Sequence, residues 1–228
     1  MSPPRKARLA VLVSGRGSNL QALLDAIETG MLDAEVVGVL SDQPEAAGLQ
    51  RVPEPLRWSA DARGFTDRAS FDAQLADAVA ATAPDWVVCA GYMRILGEAF
   101  VARFAGRMLN IHPSLLPKYR GLHTHARALR AGDAEHGSSV HFVIPALDAG
   151  AVIAQARIPV LAGDTPDTLA ARLLPEEHRL LVAVLRLTCA GRIEQRDAAV
   201  HVDGHILFSP LHLGLDGQLH PAPAEPSR

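Results

Sequence analysis

Cysteine is scarce in this 228-residue chain, with Cys89 and Cys189 the only two. Both sit in apolar sequence, which excludes the disulfide framework of a small secreted domain and points to a reducing, cytoplasmic setting. Charge of one sign is also lacking. A net charge of −3 supplies no global basic field, so neither a nucleic-acid nor a membrane partner is expected, and any anionic ligand must be held locally. No uncharged apolar run reaches the roughly 18 residues that a bilayer requires. The run Leu9 to Val13, preceded by Arg5, Lys6 and Arg8, imitates a signal peptide but is cut short by Ser14-Gly15-Arg16-Gly17; it is read as a strand. Internal repeats and low-complexity segments are absent.

What is present is the balance of a globular protein: 48% hydrophobic and 21% charged residues, with mean hydropathy +0.10. The length suits one large α/β domain or two small ones. Continuous apolar runs at Leu9 to Val13 and Val36 to Leu40 read as buried parallel strands. Between them, Leu20, Leu23, Leu24 and Ile27 recur at helical spacing and Gly30 supplies a stop. This β-turn-α-β opening predicts a doubly wound, mostly parallel sheet with a Rossmann-like N-terminal half. From Gln43 to Gly64, prolines at 44, 53 and 55 break the periodicity. Further on, helices are expected over Arg68 to Ala81, Gly97 to Phe104 and Thr124 to Ala131, with strands over Trp86 to Cys89 and Met108 to Ile111. Ser138 to Ile144 and Val152 to Pro159 read as a strand pair. Thr165 to Leu187 carries a long helical pattern, expected to break at Pro175. Short strand-like pieces follow near Val200 to Val202 and Ile206 to Phe208, and the last dozen residues read as a mobile tail. The division is therefore a main domain over 1–190 and an extension over 191–228.

Two segments stand where such a sheet places ligands. Ser14-Gly15-Arg16-Gly17-Ser18-Asn19 joins the first strand to the first helix, so its N–H groups converge on one point, which reads as an anion site, with a capped tight turn as the plainer alternative. It is neither a Walker loop nor a complete dinucleotide fingerprint, because Asn19 and Leu20 stand where a third glycine is needed. Asn110-Ile111-His112-Pro113-Ser114 closes another strand, and Asn110 and His112, two apart, share a face. An amide beside an imidazole suits a developing oxyanion and a proton transfer, although a strand-end histidine taken alone reads by default as structural. His112, His123, His125, His136 and His141 lie within 30 residues of chain, but their spacing makes a poor metal site, and no metal is expected. By default Asp148 reads as a turn residue, Glu177 as a solvated helix residue and Arg68 as a surface arginine.

Taken together, several segments resemble the phosphoribosylglycinamide formyltransferases of purine biosynthesis. The matching pieces are Val13-Ser-Gly-Arg-Gly-Ser-Asn-Leu-Gln-Ala22, Ala90-Gly-Tyr-Met-Arg-Ile-Leu96, Leu109-Asn-Ile-His-Pro-Ser-Leu-Leu-Pro-Lys-Tyr-Arg-Gly-Leu-His-Thr-His125, His136-Gly-Ser-Ser-Val-His-Phe142 and Leu147-Asp148. They keep the family's order across about residues 8–190. The resemblance implies the formyltransferase fold and transfer of a formyl group from 10-formyltetrahydrofolate, the co-substrate, to the amine of 5-phosphoribosylglycinamide, without a metal. It implies Asn110, His112 and Asp148 as the catalytic set, with His112 moving the proton and Asp148 favouring its charged form. Gly17, Ser18 and Asn19 would hold the acceptor's phosphate, and Glu177 would contact the same ribonucleotide. Arg68, Met93, Arg94, Ile95, Leu96 and Asn110, with the loop Ile144, Pro145, Ala146, Leu147 and Asp148, would form the folate site.

Residues from Pro53 to Asp61, the Leu174-Pro175 pair and the chain after Gly191 depart from the family pattern. Three other readings compete. A sibling acting on initiator methionyl-tRNA carries a C-terminal nucleic-acid-binding domain, and a formyltetrahydrofolate hydrolase carries an N-terminal regulatory one; the length and early first strand speak against both. A non-catalytic nucleotide-binding protein would leave the His112 constellation unused.

Overall fold

The first apolar run becomes β1 (Ala7–Val13), in a computed structural model that describes residues 5–221. Leu9 to Val13 are completely buried. Their side chains alternate between two cores: Leu9, Val11 and Val13 join one apolar cluster, Ala10 and Leu12 the other. A strand with no polar face belongs in the middle of a covered sheet, and this one does. α1 (Ser18–Glu28) returns the chain to β2 (Ala34–Ser41), parallel to β1, and β3 (Arg57–Ser59) extends that side. Three short 3₁₀ turns fill the proline-broken stretch around β3.

α2 (Arg68–Ala81), capped by Asp67 accepting from the Ser70 N–H at 2.7 Å, crosses back so that β4 (Trp86–Cys89) pairs with the other side of β1. α3 (Glu98–Arg103) leads to β5 (Met108–His112), parallel to β4. The strand order thus reverses at β1, opening a crevice beyond the carboxyl ends of β1 and β4, where open α/β sheets bind ligands. α4 (Thr124–Ala131) precedes β6 (Glu135–Phe142), which pairs antiparallel to β5, and β7 (Val152–Pro159), which pairs antiparallel to β6 and so resumes the direction of β5.

α5 (Pro166–Cys189) starts in a reciprocal cap between Thr165 and Thr168 and runs unbroken through Pro175. The expected break does not occur. Proline removes the bond to the Ala171 carbonyl, but Ala171 and Pro175 are both exposed, so water can take that carbonyl, while buried Leu169, Leu173, Leu180 and Leu181 anchor the helix on either side. Past α5, β8 (Ile193–Arg196), β9 (Ala199–Val202) and β10 (His205–Ile206) form a small antiparallel sheet. β11 (Leu211–Leu213) then joins β7 in parallel and β12 (Leu219–His220) pairs with β11, so part of the C-terminal extension completes the main sheet. The stretch read as a mobile tail begins inside this hairpin; residues 222–228 lie outside the described residues. Among the described residues the main sheet has nine strands in the order β12-β11-β7-β6-β5-β4-β1-β2-β3, mostly parallel, with helices on its faces. No helix among them is long and apolar enough to cross a membrane.

Candidate active site

β5 supplies the centre of the site through its alternation. Leu109 and Ile111 enter the apolar cluster on one face, which turns Asn110 and His112 to the other. Asp148 arrives from the β6–β7 connection with φ 45°, a left-handed conformation that is uncommon for aspartate. Its two oxygens gather donors. Oδ2 accepts the Gly121 N–H at 2.8 Å and lies 3.3 Å from His112 Nδ1; Oδ1 lies 3.4 Å from Asn110 Nδ2. The other ring nitrogen of His112, Nε2, donates to the Tyr119 carbonyl at 2.9 Å. Both nitrogens therefore face acceptors, which hold the ring from both sides. The His112 and Asp148 side chains are 7% and 9% exposed, so their attraction is weakly screened.

His141, directly opposite Asn110 across the β5–β6 pairing, was not anticipated as part of this set. Its Nδ1 donates to the Phe142 carbonyl at 2.8 Å, which leaves Nε2 to accept from Asn110 Nδ2 at 3.1 Å. Burial holds its pKa below the usual histidine range, keeping this acceptor form. The Cys89 thiol, in register with Asn110 on β4, is pushed up to about 12 by burial and by the Asp148 charge, so it is no nucleophile at neutral pH.

A cleft of about 580 Å³ opens beside these groups, within the size range of small-molecule sites. Met93, Arg94, Ile95, Leu147 and Asp148 line it together with Asn110 and His112. A narrower slot behind it, about 80 Å³, is walled by Leu96, Ile144 and Pro145 among others. Nearly every residue expected at a folate site is thus gathered here. Ala146 is absent from the lining of both. Arg68 lies elsewhere, between α2 and α3, with its Nε 3.7 Å from Asp72 Oδ2.

The glycine loop occupies the same edge of the sheet, because β1 and β5 both run parallel to the intervening β4. Gly17 adopts φ 68° at the cap of α1, with no side-chain cap, so the first N–H groups of the helix stay available to an anion. The close approach of Gly48, whose N–H donates to the Gly15 carbonyl at 2.9 Å, packs the loop from outside. Glu177 on α5 lies beside Asn19 at the start of α1. Burial pushes its carboxyl up to about 7, against the pull of the neighbouring Asn19 amide.

The family described as formyl transferase matches residues 7–185. This chain belongs to that family. It is 47% identical over 201 residues to the phosphoribosylglycinamide formyltransferase of Escherichia coli, covering 87% of this chain and 95% of that protein. Among solved structures, the phosphoribosylglycinamide formyltransferase of Coxiella burnetii superposes with a TM-score of 0.83 at 43% identity, over 89% of this chain and 96% of that one. The glycinamide ribonucleotide transformylase 1 of Symbiobacterium toebii gives a TM-score of 0.84 at 40% identity, over 88% and 95%.

In this formyl transferase two of the three remaining histidines of the cluster pair with each other, while His123 caps α4. His136 Nε2 lies 2.9 Å from His125 Nδ1, and burial with the neighbouring His125 drives His136 down to about 4. Among the described residues no group of three or more His, Cys, Asp or Glu converges as metal ligands. His141 was missed because its partner is set by strand register between distant segments, and the Tyr119 carbonyl and Gly121 N–H act through backbone, which carries no residue-type signal.

Proposed function

We propose that this chain transfers the formyl group of 10-formyltetrahydrofolate to the amine of 5-phosphoribosylglycinamide, a step of purine biosynthesis, with Asn110, His112 and Asp148 as its catalytic set. The observation that carries the reading is the meeting of Asn110, His112 and Asp148, 38 residues apart at the extremes, at the mouth of a cleft lined by Met93 to Ile95. The acceptor amine attacks the formyl carbon, forming a C–N bond and placing negative charge on the formyl oxygen. His112 and the Asn110 amide supply the donors for that oxyanion beside the Asp148 carboxylate. Collapse breaks the bond to the folate nitrogen, which takes up the proton that the amine loses; His112 is the carrier. Asp148 sets its negative charge beside the imidazole and holds the ring in place.

The acceptor is placed with its phosphate on the N–H groups of Gly17, Ser18 and Asn19 and a hydroxyl or amine donating to Glu177; the folate lies along Met93 to Leu96 and the Ile144 to Asp148 loop. Two free thiols, one of them buried, fit a cytoplasmic site of action. The test is tetrahydrofolate release from 10-formyltetrahydrofolate with and without the acceptor. Release that depends on the acceptor supports transfer, and equal release without it means that water is the acceptor.

Glu177 provides a separate check. A carboxyl raised by burial favours the folded state in its neutral form, so that contribution is complete below the unfolded pKa and is lost as pH rises through about 7. Glu177→Gln should therefore melt higher than the parent at about pH 8 and equal to it near pH 5, while weakening acceptor binding. In the parent, acceptor KM should rise more steeply as pH falls below 7, when the carboxylate is lost, than in the variant, where only the acceptor's own phosphate and amine titrate. A melting difference that ignores pH, or an unchanged acceptor KM, contradicts this role.

A further inference from the structure

Ser14 opens the glycine loop, and its side chain is engaged by partners from two other segments. Its hydroxyl donates to Asp42 Oδ1 at 2.6 Å, and its oxygen accepts the Met93 N–H at 2.9 Å. Its own N–H donates to the Gly91 carbonyl at 3.1 Å. Three carboxyl-end segments are thereby joined through one residue: Asp42 after β2, Ser14 after β1, and Gly91 to Met93 after β4. Asp42 is 2% exposed, and a carboxylate can only accept, so it fixes the direction of the single hydroxyl proton. A lone pair is then left facing the Met93 N–H. Without Asp42 the hydroxyl could turn its proton toward that N–H, donor against donor.

Met93 begins the wall of the cleft, with its side chain 67% exposed toward that opening. Few other contacts hold its backbone among the described hydrogen bonds. The glycine loop on the other side is pinned from outside, by the Gly48 N–H and by Arg51 Nε donating to the Arg16 carbonyl at 2.8 Å. Ser14 is therefore the tie between a firmly held acceptor loop and a lightly held folate wall.

We propose that Ser14 and Asp42 are positioning residues, whose hydrogen-bonded relay sets the Met93 segment at the spacing from the glycine loop that lets both substrates bind together. The proposal rests on the formyl-transfer reading for its ligands, but the relay itself has a readout that needs none. Removing one end of a relay costs the interaction of the whole, so the two single alanine variants and their double should behave alike.

The experiment measures tetrahydrofolate affinity by calorimetry and Met93 amide hydrogen exchange in Ser14→Ala, Asp42→Ala, the double variant and Asp42→Asn. Both alanine variants should weaken tetrahydrofolate binding about tenfold and speed Met93 exchange by a similar factor, with the double no worse than either. Asp42→Asn keeps an oxygen that accepts the Ser14 proton, so it should restore Met93 protection and hold affinity within about twofold of the parent. A merely structural role would lower the melting temperature without this rescue and without a selective rise in folate KM over kcat. Unchanged Met93 exchange in Ser14→Ala, or Asp42→Asn as damaged as Asp42→Ala, overturns the relay. A parent protein that protects Met93 but binds no tetrahydrofolate would overturn the formyl-transfer reading, and with it the ligand assigned to the relay, while leaving the tether itself established.

Discussion

Asp148→Asn should lower kcat by about 10²-fold or more, the scale associated with losing an oxyanion donor or acid–base help. The substitution removes more than a charge. Asp148 accepts from Gly121, faces His112 on the same oxygen and faces Asn110 on the other. An amide in its place must turn an NH₂ toward at least one of these donors, so one contact becomes repulsive whichever way it flips. In either flip His112 loses the negative charge that stood beside it. Tetrahydrofolate should still bind within about fivefold of the parent, because the cleft walls at Met93 to Leu96 are untouched. His112→Ala should lose a comparable factor, and the double variant should be little worse than either single, since groups that act as one unit lose activity non-additively. Near-parental turnover in either single, or fully multiplicative losses in the double, would show that the two do not work together.

The second large effect is expected at Gly17. Its φ of 68° lies where side chains are strained, and a Cβ there would stand 2.7 Å from the Gly48 Cα. Gly17→Val must therefore push the loop away from the neighbouring segment and move the N–H groups at the start of α1. Losing charge-assisted hydrogen bonds to a phosphate costs on the order of ten- to a hundredfold in binding, so acceptor KM should rise by that factor. Folate KM should stay within about twofold, with circular dichroism confirming an intact fold. Equal rises in both constants, or none, would count against a phosphate at this loop.

The order of α/β units was legible because β1, β2 and β4 are buried on both faces and so read as unbroken apolar runs, while α2 carries Phe71, Leu75 and Val79 on one buried stripe. Its ends at Arg68 and Ala81 coincide with the expected ones. Asn110 and His112 could be placed on one face by the two-residue period alone. Asp148 could not: its turn position is locally ordinary, and its role came from resemblance. Three features escaped for physical reasons. Periodicity cannot tell that the carbonyl freed by Pro175 lies at the surface, where helix continuation costs less. Nor does it reveal register, so β6 was placed at Ser138 to Ile144 instead of Glu135–Phe142, and the pairing of His141 with Asn110 stayed hidden. Finally, β11 and β12 are three and two residues long, too short to show a period, and they owe their existence to the open edge of β7.

The central claim is that one carbon passes from folate to the acceptor's amine without escaping to water. It is tested most directly by supplying 10-formyltetrahydrofolate labelled with ¹³C in the formyl group, together with 5-phosphoribosylglycinamide, and following the label by NMR. The label should appear as a new formamide carbon on the acceptor, in a one-to-one ratio with tetrahydrofolate released, and Asp148→Asn should slow its appearance without changing its destination. Label recovered as formate, or retained on the folate while the acceptor stays unmodified, would contradict the claim.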